Sequence, residues 1–332
     1  MTTEWNTSQH GSNALPNGPG GLIASLPALF GFVPEDSFVV LTASARPSGT
    51  RVGHVLRVDL DGLDEEALAR IRPLLALAAK EEADFVLVVL AEHGEESDLA
   101  LLCARFGAFA LPRGARLRAA FWAPSTAPGA EWRTLLGPRE QGAVADRRSD
   151  PAHAASVFRG DVIASSREQL RELLRPNLHD RAAVALAARS LELRGQAANA
   201  AEREILEAIR EPGRVVRLGP ERAARFAVAL KARATRDRLI SATVEAATKP
   251  EPSGAELLWA RLVPMLPDGE RAEAAVLLAL AWYARGKGAA ARVALEEALI
   301  AAPEHELARL VEACLFAGVR PDALQALVQR SE

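Results

Sequence analysis

Residues 22–43 read LIASLPALFGFVPEDSFVVLTA: a short apolar helix, a glycine stop, a polar bend and a buried strand. Leu22, Ile23, Leu26, Leu29 and Phe30 recur at helical spacing, so one face is apolar. Gly31 follows the last periodic residue, where a left-handed closing position suits a residue without Cβ. Pro34 keeps the helix from resuming. Glu35, Asp36 and Ser37 make the bend. The run Phe38, Val39, Val40, Leu41 suits a strand covered on both faces.

Upstream, residues 1 to about 20 are rich in Gly, Asn, Ser, Thr and Pro and predict a disordered tail. Downstream, ARPSGT turns the chain, and alternation from Arg51 to Val58 predicts a second strand and a hairpin. Asp64 is expected to begin a helix with Leu68, Ile71, Leu75 and Ala78 on one face. Phe85–Leu90, wholly apolar, predicts a central strand. Ser97 is expected to cap the next helix, and Arg116–Trp122 to form a strand parallel to the central one. Residues 123–155, rich in Pro, Gly, Ala and Arg, read as a long irregular excursion with Trp132, Leu135 and Leu136 as its apolar contacts. Val157–Ile163 reads as a weak last strand, and Ser165 with Glu168 as a capping box for a helix ending at Pro176.

Beyond Asp180 the pattern is helical. Arg181–Ile209 reads as one long helix or two broken near Gly195, and Pro220 to about Thr248 as another. Four or five short helices follow to Val328. Leu278, Ala279, Trp282, Gly286, Ala291, Leu295, Ala298 and Pro303 fall at the spacings of a tetratricopeptide repeat, so residues 272–303 predict one tetratricopeptide-like hairpin. The fold class is therefore an α/β domain, a mixed sheet with flanking helices over residues 21–178, followed by an all-α domain over 179–332.

The pattern LPALFGFVPEDSFVVL, residues 26–41, resembles the opening signature of the domain-of-unknown-function family 4192, found in actinobacteria. GDVIASSREQL (Gly160–Leu170) and the alanine-rich end from Ala274 to Pro321 extend the resemblance to roughly residues 20–330. Members of that family often carry clustered cysteines before a Pro-Pro-Glu-Gly segment that follows a tryptophan. Here the segment after Trp132 reads RTLLGPREQGAVADRRSDP and has no cysteine, so a metal or redox role of that kind does not carry over. The resemblance implies a fold more than an activity.

Composition narrows the function classes. The chain has 332 residues, 49% apolar and 25% charged, with net charge −3, an ordinary globular balance. With a pI near 6.2, bulk charge gives no reason to expect nucleic acid or an acidic membrane surface. The two cysteines, Cys103 and Cys314, sit far apart in apolar runs and read as buried thiols in a reducing, cytoplasmic setting. The start lacks a basic segment followed by an apolar core, so no signal peptide is expected, and no stretch is apolar enough to predict a membrane span.

Four groups could carry chemistry. Asp36 and Ser37 line a pocket or simply form a turn. His93, with Glu92 and Gly94, follows the central strand, where ligands gather in parallel sheets; Asp59 and Trp122, at other strand ends, share that rim. Ser165, Ser166 and Arg167 at a helix start bind an anion or only cap the helix. Arg222, Arg225, Arg233 and Arg236, on one continuous helix, would fall within about 80° of one another, a stripe for phosphates or an acidic partner. No nucleotide-binding glycine loop, nucleophile elbow or metal-ligand spacing occurs, so no cofactor and no metal is expected. The residues favour a non-catalytic protein that binds a protein partner through its helical half. The alternative is an enzyme or sensor taking a small anionic ligand, a phosphate or nucleotide, at the sheet rim.

Overall fold

The computed structural model describes residues 18–46, 49–62, 76, 84–113, 116–146, 148, 154, 158, 163–193, 198–215, 218–249, 251, 253–317 and 319. Its contacts divide the chain into two compact units, Met1–Val157 with Phe316–Gly318, and Phe158–Leu315 with Val319–Glu332.

The first unit holds a mixed six-stranded sheet in the order β2-β1-β3-β4-β5-β6. Its strands are β1 (Ser37–Arg46), β2 (Gly49–Asp59), β3 (Asp84–Leu90), β4 (Leu117–Ala123), β5 (Glu131–Leu136) and β6 (Gln141–Ala143). The predicted hairpin is β1–β2, and the central apolar run is β3, antiparallel to β1 and parallel to β4. Helix α1 (Gly18–Phe30) precedes the sheet, and α2 (Glu96–Ala110) makes the parallel crossover from β3 to β4.

The core follows from the period-2 pleat. Phe38, Val40, Phe85, Leu87, Val89 and Ala120 pack with Cys103, Phe106 and Ala110 of α2. Phe106 meets Phe38 and Phe85 at ring-centroid distances of 5.6 and 6.2 Å. Val39, Leu41, Val86, Val88 and Leu90 point to the opposite face and are buried as well, which is why these strands read as continuous apolar runs.

Three expectations change here. Helix α1 starts at Gly18, ahead of the apolar period, because Pro19, Gly20 and Gly21 are buried; the rest of the predicted tail lies outside the described residues. The excursion after residue 123 contains β5 and β6. Trp132 is the one buried residue of β5, and Pro/Gly-rich turns hid the strand. Trp132 donates its indole N–H to the carbonyl of Ala143 at 3.2 Å and packs edge-on against Phe121. Ser97 does not cap α2: Glu95 holds that position in extended conformation without a side-chain cap. The helix expected from Asp64 falls outside the described residues apart from Ala76, and the strand expected over 157–163 falls outside them apart from Phe158 and Ile163, neither in a strand. Gly31 closes α1 at φ +80°, its N–H bonded to the carbonyl of Pro27.

The helices of the second unit are α3 (Arg167–Leu174), α4 (Leu178–Leu193), α5 (Ala198–Arg210), α6 (Pro220–Leu230), α7 (Arg233–Thr248), α8 (Ala255–Leu262), α9 (Asp268–Ala284), α10 (Gly288–Ala301) and α11 (Glu306–Phe316). Helices α9 and α10 pack along their length as a hairpin, turning at Gly286, which has φ +77°. Alanines 272, 274, 275, 279, 290, 291, 294 and 298 are buried, so small side chains set this close approach. Polar groups pin the stack. Arg271, 1% exposed, pairs with the buried carboxylate of Glu297 and donates to the carbonyl of Leu174. Glu256 accepts from Trp282 at 3.0 Å and Lys287 at 3.0 Å.

Candidate functional site

Strand direction gathers the rim residues before any side chain is considered. Ser37 is paired with Asp59 on β2 and with Leu90 on β3, and Leu90 with Ala123 on β4. The start of β1, the end of β2 and the ends of β3 and β4 thus form one edge. This is the edge at which parallel strands deliver ligands.

Asp36 stands at that edge with φ +40°, the one non-glycine residue at positive φ among the described residues. Aspartate tolerates this region better than most side chains because it is short and polar. The carbonyl of Asp36 accepts the N–H of Leu60 at 2.9 Å, which ties the bend to the end of β2. His93 is exposed in the loop after β3. The first turns of α2 complete an open cleft of about 500 Å³, lined by Asp36, Asp61, His93, Asp98 and Arg105 over a floor that includes Leu99 and Leu102. Asp98, Leu102 and Arg105 share one face of α2.

The other rim residues serve neighbouring contacts. Ser37 is buried and donates to the carbonyl of Glu35, while Arg57 Nε donates to its hydroxyl at 2.7 Å. Asp59 pairs with Arg57 at 2.5 Å, and the same guanidinium lies over the ring of Phe32. Trp122 donates to the carbonyl of Ala91 at 3.1 Å and is stacked by Arg133 at 4.3 Å. None of these three lines the cleft. Glu92 is exposed beside His93.

The helix start at residues 165–167 belongs to the second unit. Its cap is displaced by one residue from the expected box: Ser166 accepts the N–H of Gln169, and Gln169 reaches back to the N–H of Ser165. Glu168 instead meets Arg171 at 2.8 Å. Arg167 makes a forked contact with Glu296 at 2.7 and 3.0 Å, and Arg171 joins it at 2.9 Å, so Glu296 fastens α3 to α10. Two side chains thus use the polar groups that an anion would need.

The arginine stripe is not continuous. The chain breaks at Lys231–Ala232 between α6 and α7, so the single-helix spacing does not apply. Arg222 and Arg225 share Glu204 at 2.6 and 3.2 Å. Arg236 meets Glu273 at 3.2 Å, and Arg233 is exposed at the start of α7. Most of the apparent basic charge is neutralised within the unit.

Asp61, Asp98 and Arg105 were not foreseen. Their signal was weak: an acidic turn after β2 and an i, i+7 pair on a helix. Among the described residues no three His, Cys, Asp or Glu side chains come together to hold a metal ion, and no helix is long and apolar enough to cross a membrane. Both cysteines are free; burial pushes the Cys103 thiol up to about 12.

No curated protein and no solved structure matches this chain. Residues 19–322 do match one sequence family across the sheet, the rim and the helices alike, and the chain belongs to that family, described as a domain of unknown function (DUF4192).

Proposed function

We propose that this chain is a binding protein rather than an enzyme, and that its α/β unit takes a small ligand in the rim cleft. One observation carries the reading: Asp36 and His93, from separate loops, line the same concavity at the carboxyl end of β3. The described lining offers three carboxylates, one imidazole and one guanidinium, with no hydroxyl or thiol to act as a nucleophile. A phosphate or nucleotide would face Asp36, Asp61 and Asp98 against Arg105 alone, so a neutral or cationic ligand with an aliphatic part fits better than an anion. The test is an amide-shift titration of the whole chain with putrescine, a neutral diol and inorganic phosphate. Putrescine is expected to move the Asp36 and His93 signals, and Asp36→Asn, which keeps a residue tolerant of positive φ, to abolish the effect. If none of the three probes moves either signal, the reading fails.

A second reading, an adaptor that holds a protein partner on the helical unit, is favoured by one face of α4. Leu178 and Leu186 are 77% and 72% exposed there, with exposed Ala182 and Ala185 between them. The tetratricopeptide-like spacing from Leu278 to Pro303 supports the same reading, because such hairpins stack against neighbouring helices. A cytoplasmic setting suits the two free thiols. Partners recovered equally by the chain and by a Leu178→Ser, Leu186→Ser variant would argue against this face.

A further inference from the structure

We propose that His305 is a proton-sensitive latch on the last described helix. The residue stands just before α11, and its carbonyl accepts the N–H of Arg309 at 3.1 Å. Its ring Nδ1 accepts the N–H of Ala308 at 3.3 Å, the bond of an N-cap. An accepting Nδ1 places the single proton of the neutral ring on Nε2. Nε2 is buried, 3.3 Å from a carboxylate oxygen of Glu273 on α9, and off the line of a good hydrogen bond. Glu273 also faces Arg236 on α7, whose guanidinium donates to the carbonyls of Leu230 and Lys231 at the end of α6. One carboxylate therefore links the end of α6, α7, α9 and the start of α11. Among the described residues, Glu306 and Glu304, the latter paired with Arg309 at 2.7 Å, flank the ring on its own segment, and Lys231 pairs with Glu270 at 3.4 Å one turn before Glu273 on α9.

A second proton can enter only at Nδ1. It turns the cap acceptor into a donor aimed at the N–H of Ala308, and it puts positive charge at a helix N-terminus, whose dipole is already positive. Glu273 attracts the imidazolium but is shared with Arg236, so the cap is lost without full compensation. The first turn of α11 loosens and uncovers Ala308 and Val311, which are buried in the closed form.

Hydrogen exchange of the full chain tests this. Between about pH 7.5 and about pH 5.5, after correction for intrinsic exchange, protection of the α11 amides is expected to fall about five- to tenfold. The variants His305→Asn and His305→Ser keep a capping side chain that does not titrate, and either should hold its α11 protection over the same range. An unchanged α11 in the parent chain, or an equal fall in the folded variants, overturns the proposal.

Discussion

Gly20 sits so close to Trp132 that a Cβ on it would lie 2.9 Å from the indole nitrogen and 2.4 Å from the Ala143 carbonyl that the indole bonds. The N–H of Ala145 also bonds the carbonyl of Gly20 at 3.2 Å. A backbone oxygen cannot swing aside as a flexible side chain can. Gly20→Ala is therefore expected to cost about 1–3 kcal/mol in chemical denaturation. Gly269→Ala, in open space near the start of α9, should instead stabilise by about 0.5–1 kcal/mol. Equal effects at the two positions would refute the packing argument.

Arg271 and Glu297 should behave as a buried pair. Their side chains are 1% and 5% exposed, and Arg271 also donates to backbone. Removing one partner leaves a charge in the core, so Arg271→Met is expected to lose about 3–5 kcal/mol. Arg271→Met with Glu297→Leu should recover much of that loss. A double-mutant cycle by urea denaturation decides it; additive single effects would show that the ions do not act as a pair.

Glu202 gives an acid limb to stability. The hydrogen bonds of Arg238 hold its carboxyl below the usual range, helped by the hydroxyl of Thr235. A depressed native value means that the stabilisation is present above the unfolded value and lost as pH falls through the native one. The loss should begin below about pH 4.3. Glu202→Gln should be less stable at neutral pH and show a shallower decline below that point. Parallel pH profiles would exclude this contribution.

Cys103 should be inert. It lies in the core between α2 and the sheet, and its thiol is pushed up to about 12 by burial alone. At about pH 8 almost none is thiolate. A thiol reagent should label Cys314, which is partly exposed, and reach Cys103 only on unfolding. Two fast-reacting thiols in the native protein would contradict this core.

Much of the sheet was legible along the chain. Phe38–Leu41 and Phe85–Leu90 are apolar throughout because both faces of β1 and β3 are covered, and Gly31 closes α1 because only a left-handed residue fits there. Strand β5 is hard to read because its six residues carry no alternation, only one buried side chain, amid Pro, Gly and Arg. At the rim, turn chemistry singled out Asp36 and Ser37 and strand ends singled out His93, Asp59 and Trp122, but neither could tell that Ser37, Asp59 and Trp122 spend their polar groups on Glu35, Arg57 and Ala91.

Apart from β5, β6 and the break between α6 and α7, strand and helix segments could be told from the chain alone, because burial pattern, caps and glycine punctuation are local properties. Which charges are spent depends on how the helices pack. Arg222 and Arg225 turn to Glu204, Arg167 to Glu296 and His305 to Glu273, pairings across helices that no periodicity encodes. A hydrogen bond or ion pair is fixed by distances of about 3 Å, and such distances between remote residues are set by packing, not by spacing along the chain.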